Sequence, residues 1–194
     1  DSFCTVDLSA FYFDVRKDSL YCDRVDSIRR RAARTVLDAL FNCLTAWLAP
    51  FICFTTEEAW LTRHGSDDAE VSVHMRQFPQ IPDAWRDDNL ADKWHTIRRV
   101  RRVVTGALEI ERAEKRIGSS LQSKPIVYTS EEARKCFDSL DAGELFITSG
   151  AVFSIRPAPN DAFVIEDIAD VAVVPAMAKG DKCERCYQFL EDVG

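Results

Sequence analysis

The segment at residues 28–48 carries the feature that most constrains the fold of this chain. From Ala33 onward its apolar residues recur every three or four positions, which is the spacing of one face of an α-helix. Pro50 follows and cannot continue that helix. The apolar positions of the face are Ala33, Val36, Leu37, Leu40, Phe41, Leu44, Trp47 and Leu48. We therefore predict an amphipathic helix whose apolar face packs on other helices.

Three further segments show helical patterns. Apolar residues recur at helical intervals over 8–15, and positions 90–116 predict a long helix. Thr55 and Glu58 form a capping-box pattern, which predicts a short helix that ends at Gly65. Four helices with short links favour an all-α bundle. The tryptophans predicted to pack in its core are Trp47, Trp60 and Trp94, whereas Trp85 lies in a Pro-rich linker.

After Gly118 the pattern changes to short apolar runs bounded by Gly, Pro, Asn and Asp, which is typical of strands. Ser130, followed by two glutamates, predicts a helix that runs to about residue 140. The runs predicted as strands are 125–128, 145–147, 151–155, 163–165 and 171–174. We expect a mainly α fold in which a helix-bundle domain (1–120) precedes a small α+β domain (121–178) and a tail (179–194).

Charge is distributed unevenly along the chain. The 194 residues carry a net charge of −7, which by itself disfavours a nucleic-acid partner. Two segments are nevertheless basic, with five arginines against one acid over 24–34 and eight bases against three acids over 93–116. Such clusters either contact phosphates or form a solvated surface with scattered ion pairs. The arginines singled out are Arg29, Arg30, Arg31, Arg98, Arg99, Arg101 and Arg102.

The cysteines predict a metal site and the cellular compartment of the protein. Cys183 and Cys186 have the spacing of half a tetrahedral Zn²⁺ site, and the loop before them disfavours a redox pair. Seven cysteines without a secretory signal predict reduced thiols and a cytoplasmic protein. No apolar run is long enough for a membrane span, so we expect no membrane partner. The chain begins at Asp1 without an initiator methionine, which we expect of a segment of a longer protein.

Several motifs occur in an order that resembles one known family. They are Asp-Leu-Ser-Ala-Phe-Tyr-Phe-Asp at 7–14, Trp-Leu-Ala-Pro at 47–50, Phe-Thr-Thr-Glu-Glu-Ala-Trp at 54–60, Ser-Val-His-Met at 72–75, Ile-Gly-Ser-Ser-Leu at 117–121 and Lys-Cys-Glu-Arg-Cys-Tyr at 182–187. Together they resemble the C-terminal third of bacterial-type isoleucyl-tRNA synthetases, which are class I enzymes. The equivalent region of a valyl, leucyl or methionyl synthetase shares some of these motifs and is an alternative.

The resemblance implies a function for each part of the chain. The helical region is expected to bind the anticodon stem-loop of the tRNA for isoleucine, through the arginines named above and Lys115. No catalytic residue is expected in this chain, because the family's ATP- and Mg²⁺-dependent catalytic domain lies elsewhere, as does its editing domain. Cys183 and Cys186 are expected to be half of a zinc site in the intact enzyme, and that enzyme is expected to be a monomer. A protein-interaction helical module is the alternative from another class.

Overall fold

We describe the chain from a computed structural model, in which residues 2–65 and 72–193 are described. Part of the linker predicted between 64 and 88 lies outside those residues. The chain divides into two compact units, one made of Asp1–Cys22 with Asp87–Gly194 and the other of Asp23–Arg86. No helix formed by the described residues combines the length and apolar character needed to cross a membrane.

The second unit is built on a pair of helices joined by a tight turn. Helix α2 spans Ile28–Leu48, as predicted, and begins where the Ser27 side chain accepts a hydrogen bond from the Arg30 amide. Helix α3 spans Cys53–His64 and ends at Gly65, whose φ of 93° favours glycine. Trp60 is buried between the helices together with Ala49 and Val73.

The first unit combines helices with a sheet. A π-helix, Phe3–Phe13, continues into helix α1, Asp14–Tyr21. Helix α4 spans Asp88–Ala113, and Asp87 caps it by accepting a hydrogen bond from the Leu90 amide at 2.9 Å. Two short helices follow. They are α5, Glu131–Lys135, and α6, Ala142–Phe146.

Four strands form a mixed sheet in the order β2-β1-β4-β3. Strand β1 pairs in parallel with β2 and antiparallel with β4, while β3 and β4 form an antiparallel hairpin. A separate two-stranded hairpin, β5 with β6, lies near the end of the chain. The strands are β1, Ile126–Tyr128; β2, Val152–Ser154; β3, Phe163–Ile165; β4, Ile168–Val174; β5, Asp181–Lys182; and β6, Phe189–Leu190.

The core of the first unit lies where α4 packs on this sheet. Val103 and Val104 of α4 are fully buried in one cluster with Val127 and Val173 of the sheet. At Gly106 a Cβ atom would lie 3.0 Å from the Phe163 ring, so the missing side chain permits a close approach of α4 to β3. Helix α4 therefore shares its core with the strands that follow it in sequence. The predicted boundary at residue 120 falls inside this unit, and the domain divisions at 120 and 178 stay predictions.

Three local predictions are wrong. Residues 145–147 were expected to form a strand, but Asp141 caps a helix there by accepting a hydrogen bond from the Glu144 amide at 3.2 Å. The capping box of Thr55 is absent, because α3 begins two residues earlier without a side-chain cap. Trp47 was expected in the core but is 40% exposed. Trp60 is buried, and Trp94 is half-buried in a T-shaped contact with Phe11, with ring centroids 6.0 Å apart.

Candidate nucleic-acid interface

The predicted RNA-binding arginines lie on two helices, α4 of the first unit and α2 of the second. Arg98, Arg99, Arg101 and Arg102 line one cavity of about 810 Å³ along α4. Trp94 and His95 of the same helix line it too, as do residues of the π-helix and Ile168 of β4. In nucleic-acid-binding proteins, bases stack on aromatic rings and phosphates bind to positively charged side chains such as arginine. We call this cavity the α4 groove.

Each arginine of the α4 groove contacts an acid or a carbonyl within its own unit. Arg99 Nη2 lies 2.7 Å from Asp170 Oδ1. Arg102 Nη1 lies 2.8 Å from Asp167 Oδ2. Arg98 is bonded to Asp7 of the π-helix. These pairs cross from α4 to the elements on either side, so the groove's charges contribute to holding those elements together.

Arg101 is the most buried arginine of the four, with 17% of its side chain exposed. Its Nε donates a hydrogen bond to the Leu145 carbonyl at 2.8 Å, and its Nη2 lies 3.8 Å from Asp14 Oδ2. Burial lowers the pKa of Arg101, while Asp14 opposes that change. The guanidinium remains charged, because arginine does not lose its proton in proteins. Arg101 is therefore placed to stabilise the contact of α4 with α6.

The α2 cluster has a different electrostatic environment. Arg29 bonds Asp23 through both Nε and Nη2, each at 3.0 Å, and these hydrogen bonds lower the pKa of Asp23. Arg30 is half-buried, and its Nε has no hydrogen-bond partner among the described residues. Arg31 and Arg34 are exposed, and their guanidinium groups make no hydrogen bond or ion pair with a described residue. Two of the basic side chains on α2 are thus available to an external anion.

Arg31 and Arg34 line a cavity of about 520 Å³ together with Arg63 of α3. Its other lining residues are Thr35, Leu37 and Asp38. Arg63 is bonded to Asp38, and its Cζ lies 4.9 Å from the centroid of the Phe41 ring. Sequence reasoning missed Arg63, since the one available signal was a basic residue in the last turn of a short helix. We call this cavity the α2 cleft.

Lys115, predicted from the resemblance, is exposed just beyond α4 and adopts a positive φ of 59°. It lines neither the α4 groove nor the α2 cleft. The structure therefore does not bring Lys115 together with either arginine cluster, and its role stays a prediction.

Cys183 and Cys186 lie in the turn between β5 and β6. The Cys183 amide donates to the Gln188 carbonyl at 2.8 Å, and the Tyr187 amide donates to the Cys183 carbonyl at 2.9 Å. Hydrogen bonds from the Cys186 and Arg185 amides lower the pKa of Cys183, whereas burial raises the pKa of Cys186. Within residues 2–65 and 72–193, no three His, Cys, Asp or Glu side chains are grouped closely enough to hold a metal ion.

Comparison with known proteins gives the same assignment over most of the chain. The family model for the anticodon-binding domain of tRNA ligase matches residues 1–128. The match includes both arginine clusters, the α4 side of the α4 groove and the whole α2 cleft.

Individual relatives extend the similarity to the end of the chain. An isoleucine–tRNA ligase of Brucella abortus is 53% identical over 193 residues, which is 99% of this chain and 20% of the relative. The isoleucine–tRNA ligase of Agrobacterium fabrum is 50% identical over the same share of each, and that of Ruegeria pomeroyi is 53% identical over 100% of this chain. The chain spans about a fifth of the length of these curated relatives. It belongs to the anticodon-binding domain family of tRNA ligases.

Proposed function

We propose that this chain recognises the anticodon region of the tRNA for isoleucine, as part of an isoleucine–tRNA ligase. The observation that carries the proposal is the family match over residues 1–128 together with identity of about half to isoleucine–tRNA ligases along the whole chain. The ligase as a whole would attach isoleucine to its tRNA with ATP. In this proposal ATP and Mg²⁺ act in parts of the ligase outside these residues, and the chain's own role is binding and orientation of RNA.

The chemistry available for binding is electrostatic contact combined with stacking. Phosphates of the stem would be held by charge-assisted hydrogen bonds from arginine, whose planar group bonds two oxygens at once. Bases of the anticodon loop are unpaired, so their edges and faces are open to side chains. The α2 cleft is the first candidate for phosphate contact because Arg31 and Arg34 have no described partner. The arginines of the α4 groove would have to exchange their present acid partners for phosphate.

We also propose a structural zinc site at the turn of Cys183 and Cys186. The residues fit that group, because both cysteines lie in one turn that is closed by backbone hydrogen bonds from the Cys183 amide to Gln188 and from the Tyr187 amide to Cys183, and thiolates are the ligands of closed zinc sites. These cysteines would supply two of four ligands, with the remainder from outside the described residues. Bound zinc would supply a rigid cross-link and no reaction step. Atomic absorption on the full-length ligase, with and without Cys183→Ser, measures whether zinc is lost.

The cellular setting belongs to the same proposal. A tRNA ligase that works in protein synthesis meets its tRNA in the cytoplasm, and we place this chain there. We propose that it acts as a monomer, with the tRNA as its macromolecular partner.

A titration with tRNA tests the proposed function. We expect the chain to bind an isoleucine tRNA transcript weakly, and log K to fall with log salt by about 0.7 for each phosphate contacted in a single-stranded region. A tRNA of unrelated anticodon should bind less tightly at every salt concentration. Binding that is absent at low salt, or that is insensitive to salt, contradicts the proposal.

One observation favours a second candidate, a surface for a protein partner. Phe51 and Phe54, at the junction of α2 and α3, are 82% and 91% exposed, and exposed aromatic patches mark interaction sites. This candidate predicts that binding of a partner survives replacement of Arg31 and Arg34 by glutamate. RNA binding would not survive that replacement, so the same variant separates the two candidates.

A further inference from the structure

The α2 cleft contains three arginines and one carboxylate. We infer that it is a phosphate-binding subsite in which Asp38 occupies Arg63 until a phosphate of the RNA replaces the carboxylate. The inference rests on the proposed function, which supplies a ligand that carries phosphates. It adds Arg63 and Asp38 to the residues that decide how tightly that ligand is held.

The two arginines of α2 present like charges side by side. Arg31 and Arg34 are three positions apart, so they are neighbours on one helical face. Both are exposed, and neither guanidinium has a partner among the described residues. Like charges at this spacing repel each other. An anion placed between them removes that repulsion and accepts charge-assisted hydrogen bonds from both.

Aromatic stacking positions Arg63 in the same cleft. Its guanidinium lies over the ring of Phe41, and that ring stacks on Trp60 with centroids 6.1 Å apart and planes 10° apart. At the other ring of the pair, Arg76 Cζ lies 4.0 Å from the centroid of Trp60, and its Nη1 donates to the Asn42 carbonyl at 3.1 Å. Arg63 is thus held by stacking, which leaves the in-plane N–H groups of its guanidinium as hydrogen-bond donors.

Asp38 is the single carboxylate among the described residues that line the cleft. Its side chain is 49% exposed, and that of Arg63 is 45% exposed. An ion pair this exposed contributes little free energy in water, so a phosphate replaces the carboxylate at small cost. The two anions accept the same hydrogen bonds. Asp38 therefore keeps Arg63 oriented in the free chain and competes with any phosphate that enters.

The test uses variants of Asp38 and Arg63 and a matched pair outside the cleft. Asp38→Asn, Arg63→Gln and their combination remove the two charges of the cleft pair. The control is the pair of Arg24 and Asp26, 3.3 Å apart and exposed in the same unit, through Arg24→Gln and Asp26→Asn. Each protein is titrated with the anticodon stem-loop of the isoleucine tRNA and, separately, with inorganic tripolyphosphate at constant ionic strength.

We expect Arg63→Gln to weaken binding of both ligands about fivefold, and Asp38→Asn to strengthen it about threefold, which is the range of exposed charge pairs. The gain from Asp38→Asn should disappear in the Arg63→Gln background, because the carboxylate acts through Arg63. The control variants remove equal charges and should change affinity by less than half as much.

Each contrary outcome has its own meaning. No gain from Asp38→Asn, or a gain that persists without Arg63, overturns the competition between Asp38 and phosphate. If the parent chain binds RNA and no cleft variant weakens it, the subsite is wrong while the proposed function stands. If the parent binds tripolyphosphate through the cleft but does not bind RNA, the subsite stands and the proposed function fails. If the parent binds neither ligand, both are overturned.

Discussion

The α4 groove and the α2 cleft begin from similar sequence patterns and differ in what surrounds their arginines. In the groove, Arg99 and Arg102 meet carboxylates of the β3–β4 region at 2.7 and 2.8 Å. In the cleft, Arg31 and Arg34 meet no described partner. The comparison shows that a sequence gives the number of basic residues in a cluster. It does not show which of those residues pair with acids of the same chain once the chain is folded. Only arginines without internal partners bind an external anion without first breaking a contact.

The largest expected effect is on stability, at Arg101. Arg101→Met removes a half-buried hydrogen bond to the Leu145 carbonyl and leaves Asp14 without this cation. We expect a loss of about 2 kcal/mol in the free energy of unfolding, since a buried carbonyl loses its donor. Urea unfolding measures this loss in the free energy of unfolding, and hydrogen exchange of the α4 amides gives a second measurement of it. Arg31→Met is the matched change in the α2 cleft and should cost under about 0.5 kcal/mol. Equal losses of stability in the two variants would contradict the distinction between the paired arginines of the α4 groove and the arginines of the α2 cleft that have no described partner.

The next largest effect is expected when the acid partners of two α4 groove arginines are removed, so that these arginines lack described partners, as two arginines of the α2 cleft do. Asp167→Asn with Asp170→Asn leaves Arg99 and Arg102 without their carboxylates and preserves the shape of both side chains. We expect RNA affinity at low salt to rise about fivefold, because two cations become available and two like-charged repulsions toward phosphate disappear. Glu131→Gln with Asp138→Asn, which removes the same charge around Arg134 on α5, is the control and should change affinity less. If both double variants raise RNA affinity equally, the gain comes from the change in net charge alone.

A smaller effect concerns the stability contributed by the groove's exposed pairs. Arg102→Gln breaks an ion pair whose partners are 61% and 62% exposed. We expect a loss of about 0.5 kcal/mol or less in the free energy of unfolding, and the loss should shrink as salt is raised. Thermal unfolding at two salt concentrations measures this. A loss that grows with salt contradicts an electrostatic origin.

These contrasts also mark what sequence reasoning can reach. The bounds of α2 are local, because Ser27 caps its start and Pro50 follows its end, and they were predicted correctly. The partners of Arg99 and Arg102 lie 71 and 65 residues away in sequence, so nothing local distinguishes them from Arg31. The apolar run at 145–147 fits a strand and a buried helix equally well, and the cap supplied by Asp141 decides between them.

The smallest effect is expected at Arg29, the α2 arginine that has an acid partner among the described residues. Hydrogen bonds from Arg29 hold the pKa of Asp23 below its usual value of about 3.9. A carboxyl with a lowered pKa in the folded chain stabilises it above the unfolded-state pKa and loses that contribution as pH falls through the folded-state pKa. Asp23→Asn should therefore cost about 0.5 kcal/mol at neutral pH and almost nothing once the pH is below the folded-state pKa of Asp23. Urea unfolding across that range measures the difference, and a cost that is independent of pH contradicts it.

The central claim is that the partnerless arginines of α2 carry the RNA contact. The direct measurement is the salt dependence of tRNA affinity for the parent chain, for Arg31→Gln with Arg34→Gln, and for Arg99→Gln with Arg102→Gln. We predict that the α2 double variant lowers the slope of log K against log salt by about 0.7, the value for the one phosphate that the two arginines share. The α4 double variant should leave the slope nearly unchanged. A slope that falls for the α4 variant and stays constant for the α2 variant would contradict the claim.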